Sequence, residues 1–119
     1  MNNKGLIGKI GENNAAKYLE KNSYEIINKN YYCKFGEIDI VAVDKKTNEL
    51  VFIEVKTRRT FSYGMPIDSI NNKKIKHLRN SINYYIFDKK IFNTDIRIDA
   101  IEVILKGKKC YIHHIKAIL

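Results

Sequence analysis

Apolar residues recur at helical spacing near the start of the chain and at strand spacing through most of the remainder. Between Gly8 and Asn22, the residues Glu12, Ala15, Ala16 and Leu19 fall at i, i+3, i+4 and i+7, one face of a helix. That face is apolar except for Glu12. Tyr24 to Cys33 reads as a strand, with Tyr31 and Tyr32 favouring sheet. Lys34-Phe35-Gly36 turns the chain into a second strand, Glu37 to Asp44, and the polar Lys45-Lys46-Thr47-Asn48 leads to a third, Glu49 to Thr57. Arg58 to Pro66 is expected to be a loop. Asp68 or Ser69 then caps a second helix extending to about Phe87, with Ile75, Leu78, Ile82 and Ile86 as its core stripe. Asp95 to Leu105 alternates through Ile96, Ile98 and Ala100, and Cys110 to Leu119 forms a last strand or short extension. The predicted order is α-β-β-β-α-β-β, an α/β fold with a mixed five-stranded sheet flanked by helices, in one domain spanning 1–119.

Two of these strands carry charge where the pattern calls for apolar side chains. Leu50-Val51-Phe52-Ile53 runs into Glu54-Val55-Lys56, and residues two apart on a strand point to the same face. Gly36-Glu37-Ile38-Asp39-Ile40-Val41-Ala42-Val43 likewise sets a carboxylate among apolar neighbours. Charges in such surroundings are costly unless something pairs or coordinates them. If Asp44 and Glu49 flank a four-residue hairpin loop, the register places Asp39 opposite Glu54, with Lys56 further along the same face. A slip of one residue would separate the two acids onto opposite faces.

Asp39 and Glu54 are therefore candidate ligands for a hard dication, Mg²⁺ or Mn²⁺, with the Val55 carbonyl as a further donor. Such an ion leaves positions open for water and phosphate. Lys56 would orient or deprotonate the attacking water and offset charge in the transition state of phosphodiester hydrolysis. Glu12, leading its apolar stripe, is a candidate third carboxylate. The plain alternative is a buried ion-pair network with no chemistry.

Composition adjusts this picture modestly. The formal charge of +9 favours a polyanionic partner, although an excess of Lys, Asn and Ile is also what AT-rich coding produces. No apolar run approaches the roughly 20 residues of a membrane span, and the start has no signal-peptide pattern. Cys33 and Cys110 stand far apart, so free thiols and a cytoplasmic location are expected.

The runs Gly36-Glu37-Ile38-Asp39 and Phe52-Ile53-Glu54-Val55-Lys56-Thr57-Arg58 resemble the bipartite signature of the PD-(D/E)xK nuclease superfamily, with Ile38 where the superfamily's name has proline. More narrowly, the chain resembles the YraN-like family of small bacterial proteins over nearly its whole length. Gly8 through Gly11-Glu12 with Ala15 and Leu19, Asn30, Tyr63-Gly64, Lys74 with Leu78, and Arg97-Ile98-Asp99 complete that pattern. The resemblance implies a restriction-endonuclease-like core similar to Holliday junction resolvases. It carries metal-ligand roles onto Asp39 and Glu54, a catalytic role onto Lys56 and a supporting acid role onto Glu12. Lys74 becomes a helix lysine reaching towards a substrate phosphate.

The remaining candidates concern partners. Arg58, Arg59, Phe61 and Tyr63 combine charge and aromatic faces in a form suited to a phosphate backbone and an unpaired base. Lys73, Lys74, Lys76 and Arg79 are placed to line the same groove. Glu37 shares a face with Asp39 by period two but lies at the strand's edge. Arg97 and Asp99 read as a structural ion pair, and His77, His113 and His114 form no ligand set. The leading expectation is a metal-dependent nuclease acting on DNA, branched or otherwise structured. RNA is the weaker substrate option, no membrane is involved, and a C2 homodimer is compatible with cutting two strands. The competing expectation is a binding module that keeps the nuclease core without cutting.

Overall fold

A computed structural model describes residues 5–59 and 72–119. The expected cap at Asp68 or Ser69, and the loop residues Phe61, Tyr63, Gly64 and Pro66, lie outside them. The element order is α1 (Leu6–Lys21), β1 (Tyr24–Cys33), β2 (Gly36–Asp44), β3 (Glu49–Arg58), α2 (Asn72–Asp88), β4 (Ile96–Lys106) and β5 (Lys109–Ile115). This is the expected sequence of elements, with boundaries moved by a residue or two at most of the described ends. The five strands lie side by side in chain order. β1–β2, β2–β3 and β4–β5 are antiparallel hairpins, whereas β3 and β4 run parallel. A parallel pair needs a crossover, and α2 supplies it.

Each helix covers one face of the sheet. Ala15, Ala16 and Leu19 of α1 bury against Ile40, Ala42, Val51, Ile53, Ile101 and Val103. Leu78, Ile82 and Tyr85 of α2 bury against Val41, Leu50, Phe52 and Ile98. The predicted stripe of α1, Glu12 included, is buried as expected. On α2 the buried stripe is Leu78, Ser81, Ile82 and Tyr85, while Ile75 and Ile86 are only partly covered. Tyr85 displaces Ile86 because its hydroxyl donates to Asn28 Oδ1 at 2.6 Å while its ring meets Phe52 edge-on. Among the described residues, no helix is long and apolar enough to cross a membrane.

The turn between β2 and β3 sets the register. Asp44 pairs with Glu49, as the four-residue loop requires. Asn48 takes a left-handed conformation (φ 66°), which asparagine tolerates, and its N–H donates to the Asp44 carbonyl at 2.6 Å. Asp44 Oδ1 also accepts the Lys46 N–H, so one residue closes the turn twice.

Arg97 anchors the same end of the sheet. Its guanidinium donates to Asp44 Oδ2 (3.0 Å), Glu49 Oε1 (2.8 Å), the Tyr24 hydroxyl (2.7 Å) and both oxygens of Asp99 (2.9 Å each). Asp99 further accepts the Ala117 N–H and bonds His114 Nε2 at 2.7 Å, while His114 Nδ1 meets the Tyr18 hydroxyl at 2.9 Å. An ionised carboxylate only accepts, so Nε2 carries a proton. Burial pushes the Asp99 carboxyl upward, but the hydrogen bonds from His114, Arg97 and Ala117 outweigh it and hold the group below its ordinary value. Asp44 is lowered in the same way, burial being outweighed by Arg97 and the Lys46 N–H. Burial raises the Tyr24 hydroxyl to about 12 despite the neighbouring guanidinium. The expected Arg97–Asp99 pair is thus real, and larger than its sequence spacing suggested.

Candidate functional site

The opposite end of β3 holds the candidate chemistry, and the sheet is built differently there. The β2–β3 ladder follows the expected register from Asp44–Glu49 to Ile40–Ile53 and ends one step before Asp39 and Glu54. The two acids are therefore not a ladder pair as expected. The reason lies in β2. Ile40 packs in the core under α1, yet Ile38, two residues earlier, packs in the core under α2. Regular alternation would put both on one face, so the pleat is interrupted between them, at Asp39. Asn30 of β1, which the β1–β2 register would set across from Asp39, is itself left-handed (φ 54°).

The interruption gives the Asp39 side chain a different task. Asp39 is only 3% exposed, and its Oδ2 accepts the Val55 N–H at 2.8 Å. The carboxylate lies against the Glu54–Val55 peptide and takes a donor that a ladder carbonyl would otherwise accept. A residue in a strand points its N–H and C=O to the same edge, so the Val55 carbonyl also faces the side of β2 where the ladder has ended.

Glu54 places its side chain in a cleft between the sheet and α2. Lys74 Nζ lies 3.4 Å from Glu54 Oε1. Glu37, His77, Leu78 and Ser81 line the cleft with them, around a volume of about 170 Å³. The Ser81 hydroxyl is fully buried with no hydrogen-bond partner among the described residues. Lys56 shares this face by period two and is exposed. Arg58, one step further, is the last residue of β3 rather than part of a loop. Its Nε pairs with Glu102 Oε2 at 2.7 Å, with both side chains largely buried. The parallel register places Glu102 beside Lys56.

Glu12 comes from α1, on the face opposite α2, and is 4% exposed. Its neighbour Gly11 allows α1 to approach β3 closely. A methyl at Gly11 would overlap the Thr57 hydroxyl and lie 2.8 Å from Thr57 Cβ and Cγ2. Lys73 and Arg59 are exposed, the latter at the end of the described segment, and Tyr63 lies outside the described residues. Among the described residues, no three or more His, Cys, Asp or Glu side chains form a group able to hold a metal ion.

The donor set can still be matched to an ion. Mg²⁺ is held by one or two carboxylates together with several waters and phosphate oxygens, not by an all-protein cage. Asp39 and Glu54, joined through one peptide unit, offer that number. Glu54 already draws a cation, Lys74, to its carboxylate. These residues fit a hydrated dication.

Sequence reasoning missed three residues on this side of the sheet. Glu102 and Ser81 stood inside apolar stripes without being singled out, and His77 was set aside for lack of a ligand set. Glu102 carried a legible signal, a carboxylate in a run of Ala, Ile and Val. Ser81 carried none, since a buried serine and an exposed one look alike in sequence.

Residues 11–103 match the model of the uncharacterised protein family UPF0102, a span that includes Glu12, Asp39, Glu54, Lys56, Lys74 and Glu102. A UPF0102 protein of Alkaliphilus metalliredigens is 45% identical over 109 residues, covering 92% of this chain and 93% of its own length. One from Clostridioides difficile is 44% identical over 115 residues (97% and 96% of the two chains), and one from Caldanaerobacter subterraneus is 38% identical over 117 (98% and 94%). With matches of that breadth, the chain belongs to the UPF0102, or YraN-like, family.

Proposed function

We propose that this protein is a metal-dependent nuclease that hydrolyses phosphodiester bonds in DNA, with branched or otherwise structured DNA as its substrate class. The observation that carries the reading is the pair Asp39 and Glu54. Asp39 is held by the Val55 N–H beside Glu54, where the β2–β3 ladder stops and the strands leave the regular pattern. Asp39, Glu54 and the Val55 carbonyl would hold Mg²⁺ or Mn²⁺, which supplies charge neutralisation at phosphorus and an activated water. Lys56, exposed on the same face as Glu54, orients that water and offsets negative charge on the phosphoryl oxygens. Glu12 acts from α1 as a supporting acid, carried by a helix in direct contact with Thr57. Lys74, Lys73 and Arg59 meet the phosphate backbone. Arg58 is held by Glu102, so it orders the strand end beside Lys56 rather than following the backbone freely. The +9 charge favours association with DNA at low salt.

A second reading, a nucleic-acid-binding accessory that does not cut, draws on one observation: among the described residues the acids do not gather into a three-ligand group. Labelled linear, flapped and four-way DNA incubated with Mg²⁺ or Mn²⁺ separates the two. Cutting that is lost in Glu54→Ala and Lys56→Ala, with DNA binding retained, establishes the nuclease. Equal cutting by wild type and variants points to a contaminant. Salt-sensitive binding without metal-dependent cutting establishes the accessory.

A further inference from the structure

Among the described residues, Lys74 is the cation paired with Glu54, and this is the position a catalytic dication would claim. We infer that Lys74 is a placeholder: it holds the Glu54 carboxylate in the metal-free protein, is displaced when the dication binds, and is then released towards a phosphate of the substrate. The inference rests on the nuclease reading above and adds the order in which its parts engage.

Three observations support it. The pair is made by residues from different elements, Glu54 on β3 and Lys74 in the first turn of α2, so it is no accident of helical spacing. The Lys74 side chain is 41% exposed against 19% for Glu54. The lysine is therefore the partner nearer to solvent and the one able to swing outward, while the carboxylate stays. Finally, the cleft volume of about 170 Å³ has room for about five waters at ~30 Å³ each. Waters of an ion held at Glu54 have room in this space, and Mg²⁺ keeps several of its waters.

Two cations cannot share one carboxylate oxygen at contact distance without repulsion, so ion and ammonium compete for Glu54. A partly exposed ion pair is a weak competitor. Removing Lys74 should therefore tighten ion binding by about two- to fivefold while loosening the grip on DNA. The exchange would make metal and substrate binding mutually reinforcing, since the ion frees the group that meets the phosphate.

The test is Mn²⁺ binding to the full chain without DNA, followed by electron paramagnetic resonance, in wild type, Lys74→Met, Lys76→Met and Glu54→Gln. The expected result is two- to fivefold tighter binding in K74M, no change in K76M and loss in E54Q. K76M controls for the general loss of one positive charge on α2. In parallel, acetylation of the wild type read by mass spectrometry should show Lys74 becoming more reactive when Mg²⁺ is added, with Lys76 unchanged. Mn²⁺ binding lost in E54Q but unaltered or weaker in K74M overturns the placeholder and leaves the metal site standing. Absence of Mn²⁺ binding by the wild type overturns the placeholder and the nuclease reading together.

Discussion

Replacing Arg97 by Met should destabilise the protein severely, and its pH dependence should show why. The substitution keeps most of the side-chain length and removes the one guanidinium shared by Asp44, Glu49, Asp99 and the Tyr24 hydroxyl. Glu49 is partly exposed and can turn to water, but Asp44 and Asp99 are almost wholly buried and cannot. Breaking a buried pair by deleting one partner costs about 3–5 kcal/mol, chiefly through the charge left behind. A chain of 119 residues has an unfolding entropy of about 0.25 kcal/mol/K, so Tm should fall by about 12–20 °C at pH 7. In the wild type both acids are held below their ordinary value of 3.8. Their contribution is therefore complete above about pH 4 and is lost as pH falls below it. In the variant the share of that lowering due to Arg97 is gone, so both groups move upward, while the His114 and Ala117 bonds to Asp99 and the Lys46 N–H to Asp44 remain. The variant then gains relative stability as pH falls and these carboxyls take up protons. Thermal unfolding followed by circular dichroism from pH 7.5 to pH 4.5 should show the gap between the two proteins narrowing. A gap that is constant across that range, or a loss under about 1 kcal/mol at pH 7, would refute the argument from stranded charge.

Other expectations concern the site end. Gly11→Ala should cost about 2–3 kcal/mol despite alanine's better helix propensity, because Thr57 Cβ cannot rotate away and α1 must shift. The double variant Gly11→Ala/Thr57→Gly should recover part of that loss in denaturant titrations. Asp39→Asn keeps an oxygen to accept the Val55 N–H, so stability should stay within about 1 kcal/mol of wild type, whereas Asp39→Ala should cost about 1–3 kcal/mol; calorimetric Mn²⁺ titration should find binding weakened in both. Glu102→Ala removes the carboxylate beside Arg58 Nε and should lower stability by about 2 kcal/mol in urea, with Arg58→Met/Glu102→Met closer to wild type than Glu102→Ala alone.

Much of this was readable because the signals were local and redundant. Glu12, Ala15, Ala16 and Leu19 lie on one buried face because helical spacing allows little else. Four polar residues between Asp44 and Glu49 are enough to set a register. What failed to show was any departure from regular geometry. Period two alone would place Ile38 and Ile40 on one face, and nothing in their identities announces that Asp39 interrupts the pleat between them. The same holds for side chains joined across the fold. His114 could not be linked to Asp99 and Tyr18, or Arg58 to Glu102, until β4 and β5 were set against their neighbours. The charged residues of the candidate site were legible; their pairings were not.

The contact that seats Asp39 has an uncommon tolerance built into it. Its donor belongs to the main chain, so nearly every amino acid at position 55 would supply it, and only proline, which lacks the hydrogen, would remove it. The side chain at 55 is thus left to fit the core under α1, while the grip on the acid persists through whatever substitutions that core accepts. Packing and chemistry meet at this residue without competing for the same atoms.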